Sequence, residues 1–538
     1  MKLRIWFIAA FVTCLAQSAC APEAGAPQDA APGGGGEVGE AESGANAPAA
    51  VTPTAATPAA LIRAGAVTGL ALDGLPDGGA FRGVPFAAPP VGDRRWRAPA
   101  PVSPASEPLD ATRFAPACMQ TSAITDWYAN IAESVGASPD VAPAPNGVSE
   151  DCLYLNIWTP DLEPDALAPV MVYIHGGSYT SGWSYEPNYH GEAFAARGVV
   201  LVSIAYRLGA LGYLAPDAPG ATANAGLLDQ IAALEWVRDN IEVFGGDPDR
   251  VTIFGESAGA AAVGALMTAP PARGLFHRAI SQSGGFELAA ERTRESADSA
   301  FQRLADALAG DPMAAPASEI LAAAGEALPG YDYGPVSGVA GLPRSPREAV
   351  ARGEVAATPL MIGVNRDEWL MYLDREAQDG DLDVWRERIG GRAVDRLLAD
   401  AGSVRAALDR LETAALMRCP GRALAAAVVQ AGAPVFLYRL DRVRDGAEAL
   451  GAYHGAELPY VFDSHDAWLP TALEDEALGR AMNAAWARFA ATGDPNGASG
   501  PGWPEYAASG ELLIWDLEPR IGAPLDDDLC APLGWGAP

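Results

Sequence analysis

Residues 255–259 read Gly-Glu-Ser-Ala-Gly, and the residues on either side limit what they can become. Val251-Thr252-Ile253-Phe254, β-branched and aromatic, reads as a buried strand. Ala260-Ala261-Ala262-Val263-Gly264-Ala265-Leu266-Met267 reads as a tightly packed helix. A serine between strand and helix, with glycine two residues to each side, requires a sharp turn. A side chain at either glycine would strike the neighbouring strand or helix. The turn holds the serine hydroxyl out at the top of a sheet, the form of a nucleophile elbow. The pentapeptide alone would equally suit a small-residue turn; the strand before it and the helix after it favour the elbow. The rest of the chain must then supply a base, an acid and donors for an oxyanion.

Strand-like and helix-like runs alternate around this turn. Pro169–Ile174, Val199–Ile204, Leu360–Val364 and Val435–Tyr438 read as strands. Leu227, Ile231, Leu234, Ile241 and Phe244 recur at helical spacing, with Asn224 as the expected N-cap and Gly245-Gly246 as the stop. Asp247-Pro248-Asp249 is expected to turn the chain into the Val251 strand. Near-continuous apolar strands alternating with helices predict an α/β fold, a mostly parallel sheet covered on both faces. In such sheets sites form at the carboxyl ends of the strands.

The partners of Ser257 follow from that architecture. The chain has five histidines: His175, His190, His277, His454 and His465. The chain order nucleophile, acid, histidine removes His175 and His190 as the base. His277 follows Ser257 too closely to leave room for a helix, a strand and an acid-bearing loop. His465, in Asp463-Ser464-His465-Asp466, reads as a solvated turn. His454 is the favoured base, and the adjacent Gly455 would admit a substrate. The acid should follow the Leu360–Val364 strand, where Asp367 and Glu368 stand side by side; spacing does not choose between them. The alternative is a solvated loop carrying both. His175-Gly176-Gly177-Ser178 follows the Pro169–Ile174 strand. The amides of Gly176 and Gly177, with that of Ala258, are candidate oxyanion donors, and His175 is read as a brace.

Composition narrows the chemistry. Lys2 is the only lysine, which excludes a Walker lysine, a Schiff-base lysine and a Ser-Lys dyad. A formal net charge of −32 argues against nucleic acid or an anionic membrane surface as partner. No Cys/His cluster calls for a metal, and no cofactor motif is present. Hydrophobic residues make up 49% of the 538, enough for one large core.

Residues 1–20 read as a signal peptide: a basic Met1–Arg4, then an apolar Ile5–Ala16 too short to span a bilayer. Two processing routes stay open. One is ordinary cleavage near Ala19–Ala21. The other makes Cys20 a lipidated N-terminus and membrane tether, although Gln17 stands where such signals usually carry leucine. Residues 21–60, rich in Ala, Gly and Pro, read as a disordered linker, and 61–538 as a single globular domain. The expected location is outside the cytoplasm: periplasmic, outer-membrane-tethered or secreted. Cys118, Cys152, Cys419 and Cys530 remain in the mature chain, an even count that in an exported protein suggests two disulfides with three possible pairings.

Three further stretches carry a family resemblance. They are Phe81-Arg82-Gly83-Val84-Pro85-Phe86-Ala87-Ala88-Pro89-Pro90-Val91-Gly92, Ser149–Trp158, and the run from Asn224 through Gly245-Gly246-Asp247-Pro248 to Gly259. With them the chain from about residue 65 to 535 resembles the type B carboxylesterases, the cholinesterase-like branch of the α/β hydrolases. The resemblance implies an α/β-hydrolase fold with large loop and helical insertions. It implies Glu368 rather than Asp367 as the acid, and His454 as the histidine. It pairs Cys118 with Cys152 and Cys419 with Cys530. The implied activity is metal-independent hydrolysis of a small-molecule carboxylic ester through an acyl-enzyme. Rival readings are an esterase specialised for a natural product, polyester or toxin, and a binding protein of the same fold. Two residues depart from the common pattern: Ser178 in place of a third glycine, and Trp369 where glycine usually follows the acid. Trp127, Tyr128, Trp183, Tyr331, Tyr333 and Trp369 are candidate pocket walls, and oligomeric state is left open.

Overall fold

The computed structural model describes residues 57–498, 502–506 and 510–536. The signal segment with Cys20 and nearly all of the 21–60 linker lie outside the described residues. The centre of the fold is an eleven-stranded sheet. In chain order its strands are β1 (Leu70–Leu72), β2 (Leu75–Pro85), β3 (Tyr154–Thr159), β4 (Ala168–Ile174), β5 (Val200–Ile204) and β6 (Gly246–Glu256). There follow β7 (Arg278–Gln282), β8 (Leu360–Asn365), β9 (Val435–Leu440), β10 (Leu512–Trp515) and β11 (Arg520–Gly522). Across the sheet the order is β1-β2-β3-β5-β4-β6-β7-β8-β9-β10-β11. The run β5-β4-β6-β7-β8-β9-β10 is parallel, and antiparallel strands close both margins. The carboxyl ends of β4, β6, β7, β8 and β9 therefore share one edge, where chain reversals leave room for a site.

Both faces of the sheet are covered, as the apolar runs require. Val170, Val172 and Ile174 of β4 enter one core, and Met171 and Tyr173 the other. Helix α2 (Ala225–Asn240), helix α3 (Ala258–Thr268) and helix α4 (Cys419–Gln430) pack on the first face through Leu227, Ile231, Ala261, Ala265 and Leu424. Helix α5 (Leu473–Thr492) packs on the second through Met482, Trp486 and Phe489. Helix α1 (Ala123–Ser134) lies within the loop closed by the Cys118–Cys152 disulfide; the second disulfide joins Cys419 to Cys530. Among the described residues no helix is long and apolar enough to cross a membrane.

Two local expectations are corrected and a third is refined. Asn224 is the N-cap residue of α2, its carbonyl accepting from Leu228 N at 2.9 Å, but its side chain does not bond the first-turn amides. Its amide instead donates to Val336 O at 2.8 Å and Ala340 O at 3.0 Å and accepts from Val336 N at 2.7 Å, binding a distant loop. Asp247-Pro248-Asp249 is no separate turn: it lies within β6, whose register against β4 shifts between Gly246 and Val251. A proline cannot donate to the ladder, so the irregularity falls there. His465 is half-buried rather than solvated, with Arg444 Nη2 3.0 Å from its Nδ1 and the Tyr460 ring against it. Burial, then the Arg444 charge, hold it down to about 4.

The two glycines of the 255–259 turn are required by close approach. A Cβ at Gly255 would meet Ile174 O and Gly259 C at 2.6 Å, and a Cβ at Gly259 would strike the carbonyl of Ile174. These neighbours are backbone and cannot swing aside. Gly259→Ala should therefore destabilise the fold by at least about 1–3 kcal/mol, the range for overpacking. Thermal unfolding measures it, and an unchanged midpoint would contradict the packing described.

Candidate active site

Strand β6 delivers Ser257 to the shared carboxyl edge, and α3 begins at the next residue. Ser257 has φ 55° and ψ −122°, a conformation a serine adopts only under constraint. Its amide donates to Gln282 O at the end of β7 at 2.9 Å, and its carbonyl accepts from Ala261 N at 2.9 Å. With both backbone groups tied, the side chain projects from the edge.

Two other loops meet it there. His454 lies after β9 and Glu368 after β8. Ser257 Oγ is 2.8 Å from His454 Nε2, and His454 Nδ1 is 2.6 Å from Glu368 Oε2. Glu368 is fully buried, and its other oxygen accepts from Ser283 Oγ and from Asn365 N, both at 2.6 Å. Asp367, the competing acid, turns away and accepts from Ala452 N at 2.8 Å. A hydroxyl, an imidazole and a buried carboxylate joined in this order can activate an oxygen nucleophile and stabilise the imidazolium that forms.

The loop after β4 lies against the serine. A Cβ at Gly176 would fall 3.2 Å from Ser257 Cβ, and Gly177 has φ +101°. Ser178 and Tyr179 also take positive φ, 55° and 59°, so the departure from a third glycine is accommodated in a left-handed backbone. His175 is buried and stacked 4.5 Å from Tyr206, with Nδ1 2.9 Å from Gly176 O. Burial holds it down to about 4, consistent with a neutral brace. The amide of Ala258 is the first of α3, one of the four N-terminal amides without an intrahelical acceptor.

The carboxylesterase family model matches residues 56–528. The chain belongs to the carboxylesterase family. It is 34% identical over 467 residues to the para-nitrobenzyl esterase of Bacillus subtilis (strain 168), covering 82% of this chain and 92% of that protein. It is 35% identical over 478 residues to the fumonisin B1 esterase of Sphingopyxis macrogoltabida, covering 82% and 84%. Among solved structures, a PNB esterase matches with TM-score 0.74 and 32% identity over 88% of this chain and 99% of that one. The Geobacillus stearothermophilus carboxylesterase EST55 matches with TM-score 0.76 and 33% identity over 89% and 100%. The protein is thus a serine carboxylic ester hydrolase of the α/β-hydrolase fold.

The carboxylesterase site contains groups that spacing did not single out. Glu256, inside the opening motif, is buried, with Oε1 3.2 Å from His454 Nε2. Glu457, also buried, accepts from Gln282 Nε2 at 3.1 Å and Asn365 Nδ2 at 2.6 Å. Three buried glutamates thus surround one histidine. Burial pushes Glu256 up to about 8, against the opposing charge of His454. Burial pushes His454 down, but the charge of Glu256 and the hydrogen bond and charge of Glu368 outweigh it and lift it to about 9. The two groups titrate as a pair. The charge of Glu256 is the largest influence raising the imidazole, and burial the largest raising the carboxyl.

Of the aromatic candidates, Trp127 and Trp369 lie at this end of the sheet. Trp127 Nε1 donates to Tyr372 Oη at 2.9 Å, and the Tyr372 ring is 6.3 Å from that of His454 and 5.6 Å from that of Trp369. Gly455 has φ +80°, and a Cβ there would extend toward the Trp127 indole, 3.3 Å away. Tyr128 and Trp183 are buried around Glu186: the Tyr128 hydroxyl donates to it at 2.7 Å and the Trp183 amide at 3.0 Å. Tyr331 and Tyr333 pack edge-to-face on each other, 4.8 Å apart.

If neutral His454 takes the serine proton, kcat/KM falls as pH drops through its titration. Glu256 can only raise that titration point. Glu256→Gln should move the acid limb of kcat/KM to lower pH; a shift to higher pH, or none, would contradict the pairing.

Proposed function

We propose that Ser257 is the nucleophile, His454 the general base and then acid, and Glu368 the carboxylate that orients His454 and stabilises its cation. Ser257 Oγ attacks the ester carbonyl while His454 Nε2 takes its proton. The amides of Gly176, Gly177 and Ala258 stabilise the oxyanion of the tetrahedral intermediate. His454 returns the proton to the leaving alcohol, and the acyl group stays on Ser257. Water, activated by His454, then releases the acid and restores the hydroxyl. The observation that supports this assignment is the unbroken chain from Ser257 Oγ through His454 to Glu368, with contacts of 2.8 and 2.6 Å.

The proposed substrate is a small-molecule carboxylic ester, hydrolysed without metal or cofactor. A second reading, an enzyme specialised for a natural-product, polyester or toxin ester, draws on the likeness to a fumonisin B1 esterase. A binding protein of the same fold is disfavoured by a complete serine, histidine and carboxylate set. We further propose that residues 1–20 direct export, by cleavage near Ala19–Ala21 or by lipidation at Cys20. Residues 21–60 then act as a linker to one catalytic unit, 61–538. The two disulfides support an oxidising compartment.

Replacing Ser257 with Ala should lower kcat roughly 10⁶-fold on a simple aryl ester. Retention of most of the activity by the purified variant would reject the assignment.

A further inference from the structure

His454 is separated from its own strand by a long excursion. β9 ends at Leu440, and the chain must come back to the end of β8 before the histidine can meet Glu368. The return is made by a ladder of contacts between the two loops. Asn365 Nδ2 donates to Tyr453 O at 2.8 Å. Asp367 N donates to Ala452 O at 3.1 Å, and Ala452 N donates back to Asp367 Oδ2 at 2.8 Å. One residue beyond Asp367 and two beyond Ala452, the Glu368–His454 contact forms. Asp367 also fills the space beside Gly451 (φ +69°), where a Cβ would lie 2.5 Å from Asp367 Oδ2 and 2.8 Å from its Cβ. Arg366 holds the same carboxylate through Nε at 3.0 and 3.1 Å and Nη2 at 2.7 Å. Both Asp367 oxygens are thus engaged. On the other side of Glu368, Trp369 N donates to the buried Asp409 at 2.7 Å, so the acid sits between two fixed points.

We propose that Asp367 is a positioning residue: its reciprocal pair with Ala452 couples the Glu368 loop to the His454 loop and so sets the contact between acid and imidazole. This role rests on the triad assigned above. It differs from a second catalytic acid, because the Asp367 carboxylate faces Ala452 and Arg366. It differs from a plain stabilising contact, because the pair joins the residue before the acid to the residue two before the histidine. Loosening it displaces the relay while the core of the sheet stays intact.

The test is steady-state kinetics across pH, with thermal midpoints, on Asp367→Ala, Asp367→Asn and Gly451→Ala, and with Ser257→Ala in parallel. Asp367→Ala should lower kcat about 10–100-fold with little change in KM, the scale expected of a misplacement near 1 Å. Its acid limb should move to lower pH, since Glu368 no longer holds up the His454 titration as firmly. Asp367→Asn, whose amide oxygen still accepts from Ala452 N, should recover most of kcat. Gly451→Ala should reproduce the kcat loss with the carboxylate intact. A folded Asp367→Ala enzyme with unchanged kcat and acid limb overturns the proposal, as does an Asn variant as impaired as the Ala variant. Should Asp367→Ala not fold, an unchanged kcat in Gly451→Ala overturns it instead. Loss of activity in Ser257→Ala beside a normal Asp367→Ala rejects the coupling alone. Persistence of activity in Ser257→Ala rejects the triad itself.

Discussion

The site depends on how closely β6 and α3 approach the end of β4. Ser257 holds φ 55° and ψ −122° because the glycines at 255 and 259 let both elements close on the Ile174 carbonyl. A backbone of this kind costs on the order of 1–3 kcal/mol, which the surrounding packing must offset. The apolar faces of β4 and β6 and the small residues of α3 supply that packing, every residue from Ala258 to Thr268 being buried. The strain fixes where the hydroxyl points. It also brings Gly176 of the β4 loop against the serine, so the proposed nucleophile and oxyanion donors are placed by one contact.

Charge is the second constraint. Glu256, Glu368 and Glu457 are all buried around His454. Three ionised carboxylates in so small a volume would repel one another strongly in a low dielectric. Burial raises Glu256 and Glu457, and the polar groups at hand are distributed accordingly. Glu368 has two donors besides the imidazole, Glu457 has two amides, and Glu256 has the edge of the imidazole. The carboxylate best supplied with donors is the one aligned with His454 Nδ1, which suits the role proposed for it.

Much of this was legible in the chain. The strand–turn–helix pattern around Ser257, the alternation of apolar runs and the order of serine, acid and histidine all report local structure or topology. The choice of Glu368 over Asp367 was not legible from spacing, since both follow β8 directly. It turns on the Asp367–Ala452 pair, a contact between loops far apart in sequence. Tyr372 gave no periodic signal because its partner Trp127 comes from helix α1, far away in sequence. Glu256 lay within the motif itself, but only burial makes it matter. The side-chain partners of Asn224 and the burial of His465 were not legible for the same reason: each is engaged by residues brought near by the tertiary fold.

The most direct test of the central claim is to trap the intermediate. Rapid acid quench of the full-length enzyme turning over an aryl ester, followed by peptide mass mapping, locates the acyl group. The account predicts one acyl adduct, on the peptide containing Ser257, at Ser257 itself, forming as the first equivalent of phenol is released. An adduct on another residue, or a phenol burst with no acylated peptide, would contradict it.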